Sequence, residues 1–226
     1  MLIIFDLDDT LVDTSGCLTP ERLKVALQRL IEAGLQVADF SSALELLLRL
    51  DASASSAKEA IAEFLELYEA EPTLASIAIK EVYEAPLEEA LLFPLDSAIE
   101  LLEELKKTHK LALVTVGLEL QQRLKLKKAG IDSSIFSRII VSGPHDKKRH
   151  YRALLDEFME SPSHVVVCGD RIKSDLTPAK ELGFKTIHVR WGRGVNAQGS
   201  SRDVDFVVLH LAEIGEIIKR LAVGVT

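Results

Sequence analysis

Six polar positions in this sequence sit where a folded chain can bring their side chains together. Asp6 and Asp8 close a short apolar run that begins at Leu2, Thr115 ends the run from Leu111, and Asp170 and Asp175 follow the run from His164. Lys147 or Lys148 comes a few residues after a further run, Arg138 to Ser142. In an open parallel sheet, ligands bind beyond the carboxyl ends of the strands, at the point where strand order reverses. Four acids, a hydroxyl and an ammonium would then share one crevice. Carboxylates placed this way repel: at about 4 Å and an effective dielectric near 20, each like-charged pair costs on the order of 4 kcal/mol. A cation removes that cost. An all-oxygen ligand set suits Mg²⁺, which takes one or two carboxylates and leaves its other positions to water or a substrate phosphate.

The elements that must carry these residues show as short runs of differing period. Leu2 to Asp6, Leu111 to Thr115, Arg138 to Ser142, His164 to Gly169, Thr186 to Arg190 and Phe206 to Leu209 are β-type runs. Most are continuously apolar, the pattern of strands buried on both faces. Helical patterns alternate with them. Ser97 to Lys107 places Ile99, Leu102 and Leu105 on one face, and Gly130 closes a basic helix begun near Leu118. Ser174 or Asp175 is expected to cap a helix ending before Gly183. Strand, helix, strand in this order implies right-handed crossovers and a doubly wound, Rossmann-like α/β sheet.

Thr14 to Leu92 breaks that rhythm and holds no convincing strand. Thr19-Pro20-Glu21 begins a helix with Pro at its first position. Leu23, Ala26, Leu27, Leu30 and Ile31 keep helical spacing, and Ala43 to Leu50 and Ala57 to Tyr68 repeat it. The expected organisation is an α/β core of residues 1–13 and 93–226 with an all-helical cap inserted at 14–92.

Composition bounds the partners. A chain of 226 residues, 47% hydrophobic and 27% charged, has the make-up of an ordinary soluble globular protein. Cys17 and Cys168 are too few for a disulfide framework and suit a reducing cytosol. The net charge of -8 argues against a protein that tracks a nucleic-acid polymer, where Lys and Arg must neutralise phosphates. A small phosphorylated ligand needs only a local cluster of donors. The opening Met-Leu-Ile-Ile-Phe-Asp lacks the basic segment of a signal peptide. No apolar run approaches the roughly 20 residues of a membrane span. The expected location is cytoplasmic, with no membrane partner and the oligomeric state open.

The same residues resemble a known family. Asp6-Leu7-Asp8-Asp9-Thr10-Leu11-Val12 is similar to the DxDxT signature of the haloacid-dehalogenase-like (HAD) superfamily. The strand ending in Thr115 resembles its second motif, and the lysine beyond Val141-Ser142-Gly143 its third. Gly169-Asp170-Arg171-Ile172-Lys173-Ser174-Asp175 resembles its fourth, GDxxxxD. The motifs occur in order across the whole chain. The helical insertion between the first two is similar to the C1-type cap of the phosphoglycolate phosphatase and β-phosphoglucomutase-like branch.

The resemblance implies a Mg²⁺-dependent phosphatase acting on a small phosphorylated metabolite. Asp6 would attack phosphorus and become an aspartyl-phosphate, dividing one hard displacement into two easier ones. Asp8 would protonate the departing oxygen and later deprotonate the attacking water. Mg²⁺ would bind Asp6, the backbone carbonyl of Asp8, and Asp170. Thr115 and the backbone N–H of Val116 would hold phosphate oxygens, and the lysine would neutralise the remaining charge. Asp175 would orient that lysine or a metal-bound water. Between the adjacent lysines, Lys147 is preferred: Tyr151 follows it by one helical turn and can pack that turn onto the core. Val116 stands where many relatives carry a polar residue.

Plainer readings apply to other positions. Cys168, in an apolar strand, reads as an inert buried thiol. His109, His164, His188 and His210 lack metal-ligand spacing and read as surface or strand-end residues. Trp191-Gly192-Arg193-Gly194 reads as a structural turn, and Asp175 as a helix cap. A dehalogenase would need no acid at position 8. A phosphomutase of the β-phosphoglucomutase type would use the same acids but pass the phosphoryl group to a sugar hydroxyl. A phosphoaspartate signalling module also combines acids, Thr and Lys on a doubly wound sheet. There the acidic pair and the phosphorylated Asp lie on different strands, whereas Asp6 and Asp8 share one strand end.

Overall fold

The computed structural model describes residues 1–87, 90–143, 146–195, 197, 199, 200 and 202–223. They form two compact units, one of residues 1–13 and 92–226, the other of residues 14–91.

The first unit is built on a parallel sheet of β1 (Leu2–Phe5), β2 (Lys110–Val116), β3 (Arg138–Ser142), β4 (Val165–Gly169), β5 (Lys185–Val189) and β6 (Phe206–Val208). Its spatial order is β3-β2-β1-β4-β5-β6, and every pairing is parallel. This is the doubly wound α/β arrangement expected from the alternation of apolar runs and helical patterns. β1 lies at its centre, with Phe5 beside Leu113 on one side and Cys168 on the other. The chain builds outward through β2 and β3, then crosses back to β4, so strand order reverses between β1 and β4. In open α/β sheets the ligand crevice lies at this point, beyond the carboxyl ends of the strands.

Burial explains why these runs are strands. Leu2, Ile3, Ile4 and Phe5 are fully buried, as are Val165, Val166, Val167 and Cys168. Burying each such aliphatic side chain stabilises by about 1.5–3 kcal/mol. With side chains alternating across the sheet, both faces of β1 and β4 must be covered.

The second unit is all-helical: α1 (Thr19–Glu32), α2 (Phe40–Ser53), α3 (Ala57–Leu67) and α4 (Ala75–Glu84). Leu23, Ala26, Leu27 and Leu30 of α1 pack with Ala43, Leu47, Ile61, Phe64 and Ala78 into a core of its own. Asp39 and Ser56 cap α2 and α3, accepting from the backbone N–H groups of Ser42 (2.7 Å) and Glu59 (3.2 Å). Among the described residues, no helix of the protein is long and apolar enough to cross a membrane.

The helices of the α/β unit are α5 (Ala98–Leu105), α6 (Glu119–Lys128), α7 (Lys147–Phe158), α8 (Thr177–Lys180) and α9 (Ala212–Val223). Tyr151 and Leu154 of α7 and Ala179 of α8 cover one sheet face together with Leu176 and Phe184. The expected cap by Ser174 or Asp175 is not formed. A wide turn over Ile172–Leu176 leads into α8, whose start has no side-chain cap. The Asp175 carboxylate instead points back into the protein, where the backbone N–H of Arg171 donates to Oδ2 at 3.0 Å.

Candidate active site

β1 delivers Asp6 to the crevice. The backbone N–H of Asp6 still donates to the carbonyl of Cys168 at 3.0 Å, so this residue is held at the strand end rather than on a free loop. Thr115 reaches the same level from β2 and is buried. Lys147, the first residue of α7, sends its Nζ inward to Oδ1 of Asp6 at 2.7 Å and Oδ1 of Asp175 at 2.8 Å. Tyr151, one turn along α7, is buried and anchors that turn. Lys148 points the other way, and its half-exposed ammonium pairs with Glu181 at 2.7 Å. The structure therefore brings Lys147 to Asp6 and leaves Lys148 on the surface.

Asp170, just beyond β4, is 1% exposed. Its N–H donates to Oγ1 of Thr10 at 3.1 Å, which ties the loop after β4 to the loop after β1. Its carbonyl oxygen lies 3.0 Å from Nε2 of His188 on β5. His188 stands near the end of β5, one of its two expected placements, and is buried behind the loop that carries Asp170 rather than on the surface. Gly194 closes the same side: a Cβ there would fall 2.6 Å from the Asp170 carbonyl oxygen. The Trp191-Gly192-Arg193-Gly194 turn, read from the sequence as structural, thus packs its last glycine against the backbone of Asp170.

Asp6, Asp170 and Asp175 each offer a carboxylate oxygen within 4.8 Å of the others. Burial and the neighbouring Asp175, Asp6 and Asp9 push the Asp170 carboxyl well above the usual carboxylate range. Burial also raises Asp6, to about 6, against the opposing pull of Lys147. For Lys147, burial disfavours the ammonium, but Asp175 and Asp6 outweigh it and hold its pKa well above the ordinary value. Lys147 answers Asp6 and Asp175, Arg171 Nε approaches Oδ2 of Asp170 only to 3.6 Å, and Oδ1 of Asp170 is buried without a hydrogen-bond partner. An excess of buried hard oxygen donors with an unpartnered oxygen among them fits a divalent cation such as Mg²⁺.

Asp8 does not join that cluster through its side chain. Its carboxylate turns toward α6, where Oδ1 accepts from Nζ of Lys125 at 2.7 Å and Oδ2 from Nε2 of Gln122 at 3.0 Å. Neither partner stood out in the sequence. Val116 ends β2 with its side chain about one-third exposed. Gly117, next to it, has φ +153°, in the region that favours glycine. Cys168 is fully buried, and burial pushes its thiol pKa up.

Comparison with known proteins bears on the family and the fold. Residues 1–183 match the haloacid dehalogenase-like hydrolase family. A glyceraldehyde 3-phosphate phosphatase of Methanocaldococcus jannaschii is 30% identical over 97% of this chain and 97% of its own length. A protein of the same name from Pyrococcus furiosus is 28% identical over 97% of this chain and 93% of its own. Among solved structures, a predicted phosphoglycolate phosphatase from Haemophilus somnus superposes with a TM-score of 0.73 at 22% identity, covering 96% of each chain. The HAD-hydrolase YfnB of Bacillus subtilis, described as bound to magnesium, gives 0.65 at 18% identity over 96% of this chain and 98% of its own. The chain belongs to the haloacid dehalogenase-like hydrolase family.

Proposed function

We propose that this protein is a Mg²⁺-dependent phosphatase that hydrolyses a small phosphomonoester through an aspartyl-phosphate formed on Asp6. The observation that carries the reading is the clamp on Asp6: a buried lysine holds one carboxylate oxygen at 2.7 Å, at the strand-reversal crevice. A nucleophile fixed in this way loses little orientational freedom on reaching the transition state.

Asp6 attacks phosphorus, the bond from phosphorus to the ester oxygen breaks, and Asp8 gives that oxygen a proton. The Thr115 hydroxyl and the Val116 N–H donate to phosphate oxygens, where charge is held during transfer. Lys147, kept protonated by its two acids, supplies positive charge beside the acyl-phosphate. In the second step Asp8 takes a proton from water, which attacks phosphorus and releases Asp6. Mg²⁺, held by Asp6, the Asp8 carbonyl and Asp170, would lower the repulsion between the nucleophile and the phosphate. The substrate is taken to be a triose phosphate or a metabolite of similar size, because the curated relatives are named glyceraldehyde 3-phosphate phosphatases.

The test is a phosphate-release screen over glyceraldehyde 3-phosphate, phosphoglycolate, sugar phosphates and nucleoside monophosphates, with and without Mg²⁺. Mg²⁺-dependent release from the triose phosphate supports the full reading. Release only from larger sugar phosphates refutes the substrate assignment. Transfer of phosphate to a sugar hydroxyl, with none released to water, refutes the phosphatase.

A further inference from the structure

We propose that Gln122 and Lys125 are positioning residues that orient Asp8 as the proton donor to the leaving group, an inference that rests on the phosphatase reading above. They lie three apart on α6, so both project from one face of the helix. The two oxygens of Asp8 are held by different donors, Oδ1 by Lys125 at 2.7 Å and Oδ2 by Gln122 at 3.0 Å. One donor would leave the carboxylate able to rotate about its last torsion. Two donors on two oxygens fix its plane.

Gln122 makes more than this one contact. Nε2 also reaches Oγ1 of Thr115 at 3.1 Å and the carbonyl oxygen of Val116 at 2.6 Å. The carboxylate and the carbonyl can only accept, which sets the amide with its nitrogen toward them. Those two acceptors take the two N–H groups of the amide, and Thr115 Oγ1, beside a nitrogen that cannot accept, keeps its own O–H to donate to a phosphate oxygen. The amide oxygen of Gln122 is buried without a partner, a cost of about 1–3 kcal/mol that a purely structural glutamine would have no cause to bear. Gly117 makes room for the arrangement: a Cβ there would lie 2.8 Å from Gln122 Nε2. Gln122 thus links the proton donor to the phosphate-binding hydroxyl, and Lys125 holds the donor from its other side.

Proton transfer demands a heavy-atom separation of about 2.6–3.2 Å. Loss of orientation should therefore slow the first phosphoryl transfer from esters that need a proton on the leaving oxygen and spare it for those that do not. The experiment compares kcat/KM, which reports that first transfer and not the hydrolysis of the aspartyl-phosphate common to both esters, for an alkyl phosphate and for p-nitrophenyl phosphate in wild type, Lys125→Met, Gln122→Leu and Lys125→Arg. The expected result is a fall of about tenfold or more in the alkyl-to-aryl ratio for Lys125→Met and Gln122→Leu, within the roughly 10²–10⁴ that proton transfer contributes. Lys125→Arg should recover most of the ratio. A partly misfolded preparation scales both rates alike and leaves the ratio unmoved, so the ratio reads position and not folding. An unchanged ratio in both variants, with the wild type active, overturns this proposal alone. A wild type that hydrolyses neither ester overturns the phosphatase reading and this proposal with it.

Discussion

The Nζ of Lys147 and Oδ1 of Asp6 lie 2.7 Å apart with both side chains largely withdrawn from solvent, although 141 residues separate them in the chain. Lys147→Ala leaves Asp6 and Asp175 as neighbouring buried acids with no counter-charge. Breaking a buried pair from one side costs about 3–5 kcal/mol. Lys147→Ala is therefore expected to lower stability in urea by that order and to lose most activity. Lys148→Ala, at a half-exposed pair with Glu181, should change stability by no more than about 0.5 kcal/mol and keep near-normal turnover. The reverse ranking would show that the lysine was wrongly chosen.

Asp170→Asn separates metal binding from folding. Asp170 is buried beside Asp6 and Asp175, and its cationic neighbour, Arg171, is part-exposed at 3.6 Å, so the isosteric amide should leave the metal-free protein at least as stable as the wild type. Mg²⁺ at about 100 times its Kd should stabilise the wild type by about 2.7 kcal/mol. The variant should gain almost nothing. Thermal unfolding of both proteins, each with EDTA and with Mg²⁺, makes the check. An equal Mg²⁺ gain in the two would exclude Asp170 as a ligand.

Gly194→Ala tests how firmly the loop after β5 seats that acid. The added methyl would fall 2.6 Å from the Asp170 carbonyl oxygen and 3.1 Å from that of Val189, both backbone atoms that cannot turn aside. The expected outcome is lower stability together with weaker Mg²⁺ binding, measured by calorimetry. Unchanged Mg²⁺ affinity would mean that the turn supports the fold and not the metal acid.

The sheet and its site acids were legible because the runs ending at Asp6, Thr115 and Gly169 are continuously apolar and stop abruptly at polar residues. Other features were hidden for identifiable reasons. α4 is short, and its stripe of Ala75, Ala78, Ile79 and Val82, which packs on the core of the helical unit, went unread. α9 did carry a signal, since Leu211, Ile214 and Ile218 keep helical spacing and are buried, but it went unread. Gln122 and Lys125 sit on a basic helix with hardly any amphipathic pattern, which reads from sequence as a solvated face. Their role depends on a contact with a loop more than one hundred residues earlier. The burial of His188 and the missing cap at Asp175 were not legible because spacing does not reveal which polar side chain turns inward. For Asp175, an ion pair with Lys147 turns it from a helix start to the interior.

Cys168 offers a check on burial independent of catalysis. It is fully buried and its pKa is raised by burial, so at neutral pH it stays a protonated thiol. Iodoacetamide on the native enzyme should leave Cys168 unmodified, with labelling only after unfolding, as read by peptide mass spectrometry. Rapid native labelling would contradict the burial of β4.

The central claim is that Asp6 carries the phosphoryl group. Acid quench during steady turnover on glyceraldehyde 3-phosphate or p-nitrophenyl phosphate with Mg²⁺, followed by peptide mapping, tests it directly. Phosphate should be found on Asp6 in the wild type, and Asp6→Asn should be folded, unphosphorylated and inactive. Phosphate on any other residue, or near-normal turnover by Asp6→Asn, would contradict the account.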